Sequence, residues 1–563
     1  MSRHWTAEPR AHLAAIVAAY AALAFAIQAH AVDLLSSDGE CYLRMAGWYA
    51  MGDLRHAVFG HWSPLPAWVT APLVAAGVTP RVAMRLWIGA WGALCVVGVW
   101  RLAGRFELGA WLRAAAAGCA ALLIAEFSIV HRVDLLVTAL LLLYLDAVMD
   151  PRLLASRWRA AAVGLLGGLA YLAKQYALPF VLVHVALVVL LHGWRRRGEA
   201  IAQEEDTPER VQAWHPLWGM VRTWGMAVGA FAVVAAPWVG VLSGKYGRLT
   251  IGTAGASTYR QYGPDHAGGR RPPTGLRRPP ADAPNVWHDA TLDATGPRPD
   301  IPSPLASREA LVRQLRLMGR NLGIIAGHLA ATDELRLAVA ALALAPVAFV
   351  LTRRRREVAF RYAAAALTVA VYCGGYALLF ADVQRYYWFP MLVLLVLAFH
   401  LVGRVPAVLG RRLSERRRRL LAAALGVVAV VSFAFHPVRA IGILRRSPPP
   451  GRQHRLVAAR LAELGVRGPL ACMGGDAWWN GLHVAYYLDA QYAGTPRATA
   501  PAGIASEMRE AGARTLLVWG GSGLPLLSES AFALAGRVTA AEVPGLEAEV
   551  AVVTLRDDAA TER

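Results

Sequence analysis

The chain has 563 residues, of which 56% are hydrophobic and only 17% charged, and its net charge is +20. Soluble domains carry about 25% charged residues, so this apolar excess excludes an ordinary soluble fold and points to the bilayer as solvent. The positive charge does not indicate nucleic acid: it is gathered as arginine clusters between apolar runs, with no zinc spacing, helix-turn-helix or aromatic-basic platform beside it.

Apolar runs that reach the length needed to cross about 30 Å of hydrocarbon at 1.5 Å per residue begin near the N-terminus. They fall at 11–32, 82–103, 110–128, 134–149, 159–176, 178–194, 223–243, 335–352, 358–380, 387–403 and 420–437. The runs at 134–149 and 178–194 sit near the lower length limit. No small-residue cleavage site follows the first run, which therefore reads as a retained helix. The expected fold class is an all-α polytopic membrane bundle of about 11 transmembrane helices, followed by a small α/β domain.

A cytoplasmic N-terminus places Arg195–Arg197, Arg353–Arg356 and Arg416–Arg419 together on the cytoplasmic face, as the positive-inside rule requires. The expected location is the cell membrane. Loops 33–81 and 244–334 then lie outside, and so does the C-terminal domain, because an odd number of spans precedes it. The organisation expected is a membrane domain over 1–437 and a soluble domain over 438–563. Within the long loop, 263–304 is rich in Pro, Arg, Asp and Gly, has no apolar period and reads as irregular chain.

Beyond a Ser447-Pro-Pro-Pro-Gly451 linker, Arg455–Leu464 has the pattern of an amphipathic helix, and Leu470–Met473 and Thr515–Trp519 that of short buried strands. In Asp476-Ala-Trp-Trp-Asn480 the two tryptophans suit either carbohydrate stacking or domain packing. The five cysteines are scattered and imply no disulfide framework.

The densest polar signal is Ser36-Ser37-Asp38-Gly39-Glu40-Cys41-Tyr42, directly after the first span. A carboxylate pair where bilayer meets water is a candidate base for a polar acceptor; the structural alternative is Asp38 as N-cap of a helix through Tyr42–Ala46. Lys174 and Arg385 lie at ends of apolar runs, where an unpaired cation costs several kcal/mol unless it snorkels to the interface or meets an anion. A guanidinium at 385 suits phosphate oxygens in bidentate fashion. Tyr386, Tyr387 and Trp388 read as an interfacial aromatic belt that is also compatible with sugar stacking. Glu126, inside an apolar run, needs a partner, with Arg85 and His131 as candidates.

Taken together, these residues resemble a family. Asp38-Gly39-Glu40-Cys41-Tyr42-Leu43, then Ala46, Gly52-Asp53 and Ser63-Pro64-Leu65, are similar to the first periplasmic loop of GT-C fold glycosyltransferases. The branch is that of protein mannosyltransferases, aminoarabinose transferases and rhizobial lipopolysaccharide transferases. Arg85, His131-Arg132-Val133-Asp134, the Gly167–Lys174 run and Arg385-Tyr386-Tyr387-Trp388-Phe389-Pro390 follow in the family's order. The separation of Asp38 from Glu40 by Gly39 matches the lipopolysaccharide-type branch rather than the protein-mannosylating one.

The resemblance implies inverting transfer of a sugar from a polyprenyl-phosphate carrier to a glycan, lipid or protein acceptor of the cell envelope, with membrane lipid around the site. It implies Asp38 as general base and Asp134 as a second carboxylate that positions the acceptor or orients the base. Asp134 is equally well read as a surface charge pair with Arg132 or His131. Glu40, Tyr42, Arg85, His131, Lys174, Arg385 and Tyr386 are the expected substrate-binding residues. No cofactor is certain. A divalent cation stays open, although no dedicated cluster exists beyond the two aspartates. The rival functions are a transporter or lipid-linked-sugar flippase, for which inverted repeats are expected and not seen, and a non-enzymatic scaffold.

Overall fold

The computed structural model describes residues 7–130, 133–204, 216–264, 275–279, 303–330, 355–409, 414–520, 526 and 530–556. Among these, eight helices are long and apolar enough to cross a membrane. They are α1 (Ala7–His30), α5 (Pro80–Arg105), α6 (Ala110–Phe127), α9 (Ala177–Glu204), α10 (Pro216–Tyr246), α13 (Arg355–Ala377), α14 (Trp388–Leu409) and α15 (Glu415–Arg446). The shorter α7 (Asp134–Val148) and α8 (Arg157–Ala173) coincide with the expected spans at 134–149 and 159–176. The expected span at 335–352 lies outside the described residues.

Packing follows the distribution of side chains. Trp100, Tyr144, Phe180, Phe389 and Phe399 are fully buried in one continuous core, whereas Phe25, Trp218, Val233 and Phe435 stand exposed on outward helix faces, where only hydrocarbon makes such exposure favourable. The two ends of the bundle are both charged but differ in kind. At one end Asp146 accepts from Arg101 (2.8 Å) and Arg105 (2.6 Å), Arg105 also reaches Asp150 (3.2 Å), and Arg361 holds Glu107 (2.9 Å).

At the other end lie the short helices of the first loop and the C-terminal domain. Helix α2 (Ser37–Met51) ends in Gly52, whose φ of +76° suits glycine, and Asp53 caps α3 (Leu54–Ala57). Helix α4 (Leu65–Ala75) starts at the Pro64-Leu65 step, as the resemblance implied. In the long loop, α11 (Ala254–Tyr262) is followed by α12 (Arg308–Leu329). Gln314 and Asn321 of α12 donate to the carbonyls of Leu378 and Ala377 at the end of α13 (2.7 and 3.0 Å), so α12 lies across that helix end. Residues 275–279, within the stretch expected to be irregular, form neither helix nor strand but are anchored. Gly275 and Arg277 donate to Thr495 and Ala493 (2.7 and 2.9 Å), which lays this segment along an edge of the C-terminal sheet.

The C-terminal sheet has the order β2-β1-β3-β5-β4, with β1 (Leu470–Met473) parallel to β2 (Tyr492–Gly494) and β3 (Thr515–Trp519). Strands β5 (Val550–Leu555) and β4 (Phe532–Val538) continue it antiparallel. Helices α16 (Arg452–Glu463) and α17 (Ala477–Tyr487) bury one face and α18 (Pro501–Ala511) the other, and β1 and β3 are correspondingly apolar on both sides.

This domain is fastened to the membrane domain through Asp33. Its carboxylate accepts from Arg81 and from Arg455 (3.0 Å), and its carbonyl accepts from Tyr487 Oη (2.7 Å). Gly451 of the linker, at φ +81°, lies so close that a Cβ there would sit 2.1 Å from the Asp33 carbonyl oxygen. Asp33→Ala is therefore expected to loosen the docking by about 1–2 kcal/mol, the value of charge-assisted bonds discounted for solvent. Trypsin cleavage at Arg445, Arg446 and Arg452 in detergent should accelerate about tenfold; an unchanged rate would show that Asp33 does not hold the domain.

Candidate active site

Four charged side chains from four separate segments meet at the mouth of the bundle. Asp38 stands in the first turn of α2. The cap of that helix is Ser36, whose Oγ accepts from the Gly39 amide (3.1 Å), so the capping role considered for Asp38 belongs to Ser36 instead. Asp134 opens α7, Lys174 closes α8 as its extended C-cap residue, and Arg385 lies in a 3₁₀ turn, Gln384–Tyr387, that leads into α14.

Arg385 donates to Asp38 Oδ2, and its Nε lies 3.3 Å from Asp134 Oδ2. Lys174 Nζ donates to the other oxygen of the same carboxylate, Asp134 Oδ1. Two carboxylates are thus met by two cations, which offsets a desolvation cost of several kcal/mol per ion. The ring of Tyr386 completes the wall: Lys174 Nζ lies 3.7 Å and Arg385 Cζ 5.5 Å from its centroid. Tyr376 stacks on Tyr386, with Tyr176 against Tyr376 in turn.

The two acids differ in access. The Asp38 side chain is 26% exposed and that of Asp134 is 8% exposed, so Asp38 is the accessible acid of the pair and Asp134 the interior counter-charge. Tyr42 packs edge-on against Trp62 with centroids 5.5 Å apart. Burial first, then the negative charges of Asp134 and Asp38, hold its phenol well above the ordinary tyrosine range, which keeps it a neutral donor beside both acids. Above the cluster lies a cavity of about 320 Å³ lined by Ser36, Ser37, Arg385, Trp479 and His483.

Asp38, Tyr42, Asp134, Lys174, Arg385 and Tyr386 are therefore brought together as expected. Three other residues have partners elsewhere. Glu40 does not join the cluster: it is 2% exposed and accepts from His483 Nδ1 of the C-terminal domain. Arg85 also lies apart from it, with its terminal nitrogens donating to the carbonyls of Ala31, Leu34, Ser128 and Ile129 and to Gln28 Oε1. Five acceptors from two segments make it a clamp on the ends of α1 and α6. His131 lies outside the described residues, as does Arg132. Glu126 pairs with His436 (3.3 Å) rather than with Arg85.

Sequence reasoning missed His483. In Ala477–Tyr487 it is one polar ring in an otherwise apolar helix, which reads as core, and nothing local announces a partner more than 400 residues away. Its neighbour Trp478 is buried as packing, and Asn480 accepts from His454 Nε2 (2.9 Å). Burial pushes the His454 imidazole down to about 4, which leaves it neutral at ordinary pH.

The pairing predicts unequal costs. Asp134→Asn leaves buried Arg385 and half-buried Lys174 short of their shared charge and is expected to destabilise the detergent-solubilised protein by about 3 kcal/mol. Asp38→Asn, at the exposed edge, is expected to cost less than about 1 kcal/mol. Denaturation midpoints of the two variants check this order; equal shifts would refute the division between interior and accessible acid.

No family profile matches the chain, and no curated protein matches it in sequence. Among solved structures, ArnT from Cupriavidus metallidurans in the apo state is similar with a TM-score of 0.54 at 14% identity, over 95% of this chain and 97% of that one. The same protein bound to undecaprenyl phosphate gives a TM-score of 0.52 at 14% identity over the same shares. Arabinofuranosyltransferase AftD from mycobacteria is a weaker likeness, at 0.45 and 14% identity over 99% of this chain and 40% of that one. The chain thus has the GT-C architecture, a helical membrane bundle with a C-terminal α/β domain, shared with ArnT over nearly its whole length.

Proposed function

We propose that this protein is a membrane glycosyltransferase that moves a sugar from a polyprenyl-phosphate carrier to an acceptor hydroxyl at the outer face of the cytoplasmic membrane. The observation that carries the reading is the Asp38–Arg385–Asp134–Lys174 cluster at the membrane mouth. The similar ArnT structure is bound to undecaprenyl phosphate, which supports a carrier lipid of this class.

In the reaction, Asp38 takes the proton from the acceptor hydroxyl as its oxygen attacks the anomeric carbon. The bond from that carbon to the phosphate oxygen breaks, and the electron pair leaves with the lipid phosphate, which inverts the anomeric centre. The phosphate changes from a diester with one negative charge to a monoester with a second. Lys174 and Arg385 are the cations at hand for that charge. As the phosphate draws them, Asp38 is released from the guanidinium and becomes available as base. The aromatic wall of Tyr386, Tyr376 and Tyr176 accommodates the sugar or the first prenyl units.

Asp38→Asn is expected to abolish transfer while membrane insertion stays intact; retained transfer would remove the base. Arg385→Ala should lower turnover about a hundredfold or more, as loss of about 3 kcal/mol of transition-state stabilisation requires. Arg385→Lys should recover only part, because the charge returns without the bidentate fork. Radiolabelled sugar transfer in reconstituted vesicles reads both, and a normal rate for Arg385→Ala would make that residue an interfacial anchor only. The orientation has its own check. A reporter active only in the cytoplasm, fused after Arg563, should be silent, and strong signal would place the C-terminal domain and the cluster on the cytoplasmic side.

A further inference from the structure

The charged cluster has two approaches. One is along the bundle, where Lys174 and the tyrosine wall stand; the other is from the C-terminal domain, whose helix α17 packs on α2. Trp479 and His483 are four residues apart on α17, hence on one helix face, and both line the cavity above Arg385. The cavity's other polar lining is the Ser36 and Ser37 hydroxyls at the start of α2, the turn that carries Asp38.

Beside the aliphatic Leu34, Leu35 and Val130, the lining offers the groups that recognise a carbohydrate. An indole supplies an apolar face for a sugar ring, while two hydroxyls, an imidazole and a guanidinium supply donors and acceptors for its hydroxyl groups. A volume of about 320 Å³ stands at the small end of ligand pockets, enough for a sugar-sized headgroup and too small for a lipid chain.

The Glu40–His483 contact explains why an acid is buried at 2% exposure in the interface. With Nδ1 donating to Glu40, the tautomer and the plane of the ring are fixed, and Nε2 is the ring's remaining hydrogen-bonding atom. The same contact joins the domain to the helix turn that holds Asp38, so pocket and base keep one geometry.

We propose that Trp479 and His483 of the C-terminal domain bind the sugar-bearing headgroup of the acceptor and present its hydroxyl to Asp38, which makes this domain the specificity element of the enzyme. The inference rests on the glycosyl-transfer reading above. It separates the two substrates by origin: the donor comes through the bilayer side, and the acceptor headgroup lies under the soluble domain.

The test uses the full chain in vesicles, with radiolabelled polyprenyl-phosphate sugars extracted from the same cells as donor, undecaprenyl phosphate as the donor-side binding probe, and glycolipid extracted from envelopes of cells lacking this protein as acceptor. Trp479→Ala is expected to raise the half-saturating acceptor concentration about tenfold, with kcat within about twofold and undecaprenyl phosphate affinity unchanged. Trp479→Phe should restore most of the loss, because stacking returns. His483→Gln should raise the same constant, and it carries the test together with Trp479→Phe if the alanine variant does not fold.

Unchanged half-saturation in both Trp479→Ala and His483→Gln would overturn the proposal while leaving glycosyl transfer standing. So would a loss confined to kcat, the mark of a structural role only. A wild-type chain that moves no sugar to the extract would overturn the transfer reading and this inference with it, and is seen before any variant is made.

Discussion

Arg385 holds a carboxylate from α2 with one edge of its guanidinium and a carboxylate from α7 with another, and the mouth of the bundle is arranged around that contact. The residues it joins are far apart in sequence, Arg385 and Asp38 by 347 positions. No local propensity brings such groups together; the packing of α2, α7, α8 and the turn before α14 does. Once together they constrain one another, because a carboxylate or guanidinium at the edge of hydrocarbon without a counter-charge costs several kcal/mol. Lys174 brings the cluster to two positive and two negative groups. A site balanced in this way is stable when empty.

The opposite end of the bundle shows that charge alone does not make a site. Asp146 and Asp150 are also buried at helix ends, and they too are surrounded by arginines from several segments. There each carboxylate is enclosed by two guanidinium groups, and the bonds serve to fix α5, α7 and α8 to each other. At the mouth, by contrast, one acid remains partly exposed beneath a cavity. The difference lies in access, and access is a property of the whole arrangement.

The C-terminal domain belongs to that arrangement. Asp33 and Glu40, a turn or two on either side of Asp38, both serve as anchors for it, through Arg455 and His483. The segment around Gly275 adds to its sheet edge, so the long loop, the first loop and the domain form one assembly on one side of the bundle. Arg85 supports the same region from beneath by collecting the carbonyls at the ends of α1 and α6. The position of Asp38 is thereby set from above by the Glu40–His483 contact and from below by the Arg85 clamp.

By itself the sequence determined the elements. Apolar length fixed the spans, because crossing hydrocarbon requires a fixed number of helical residues, and alternation of arginine clusters fixed which loops share a side. The amphipathic helix and the strands Leu470–Met473 and Thr515–Trp519 were legible because burial on one or both faces leaves a period of its own. Asp38, Asp134, Lys174 and Arg385 stood out for a related reason: charge at the end of an apolar run is costly and demands a partner. The tertiary structure alone decided who the partners are. Glu40 turned to the soluble domain, Arg85 to backbone carbonyls, Glu126 to His436, and His483 came into the site from a helix that reads as core. Pairing between distant segments depends on how helices pack, and that information is spread over the whole core rather than written beside any one residue.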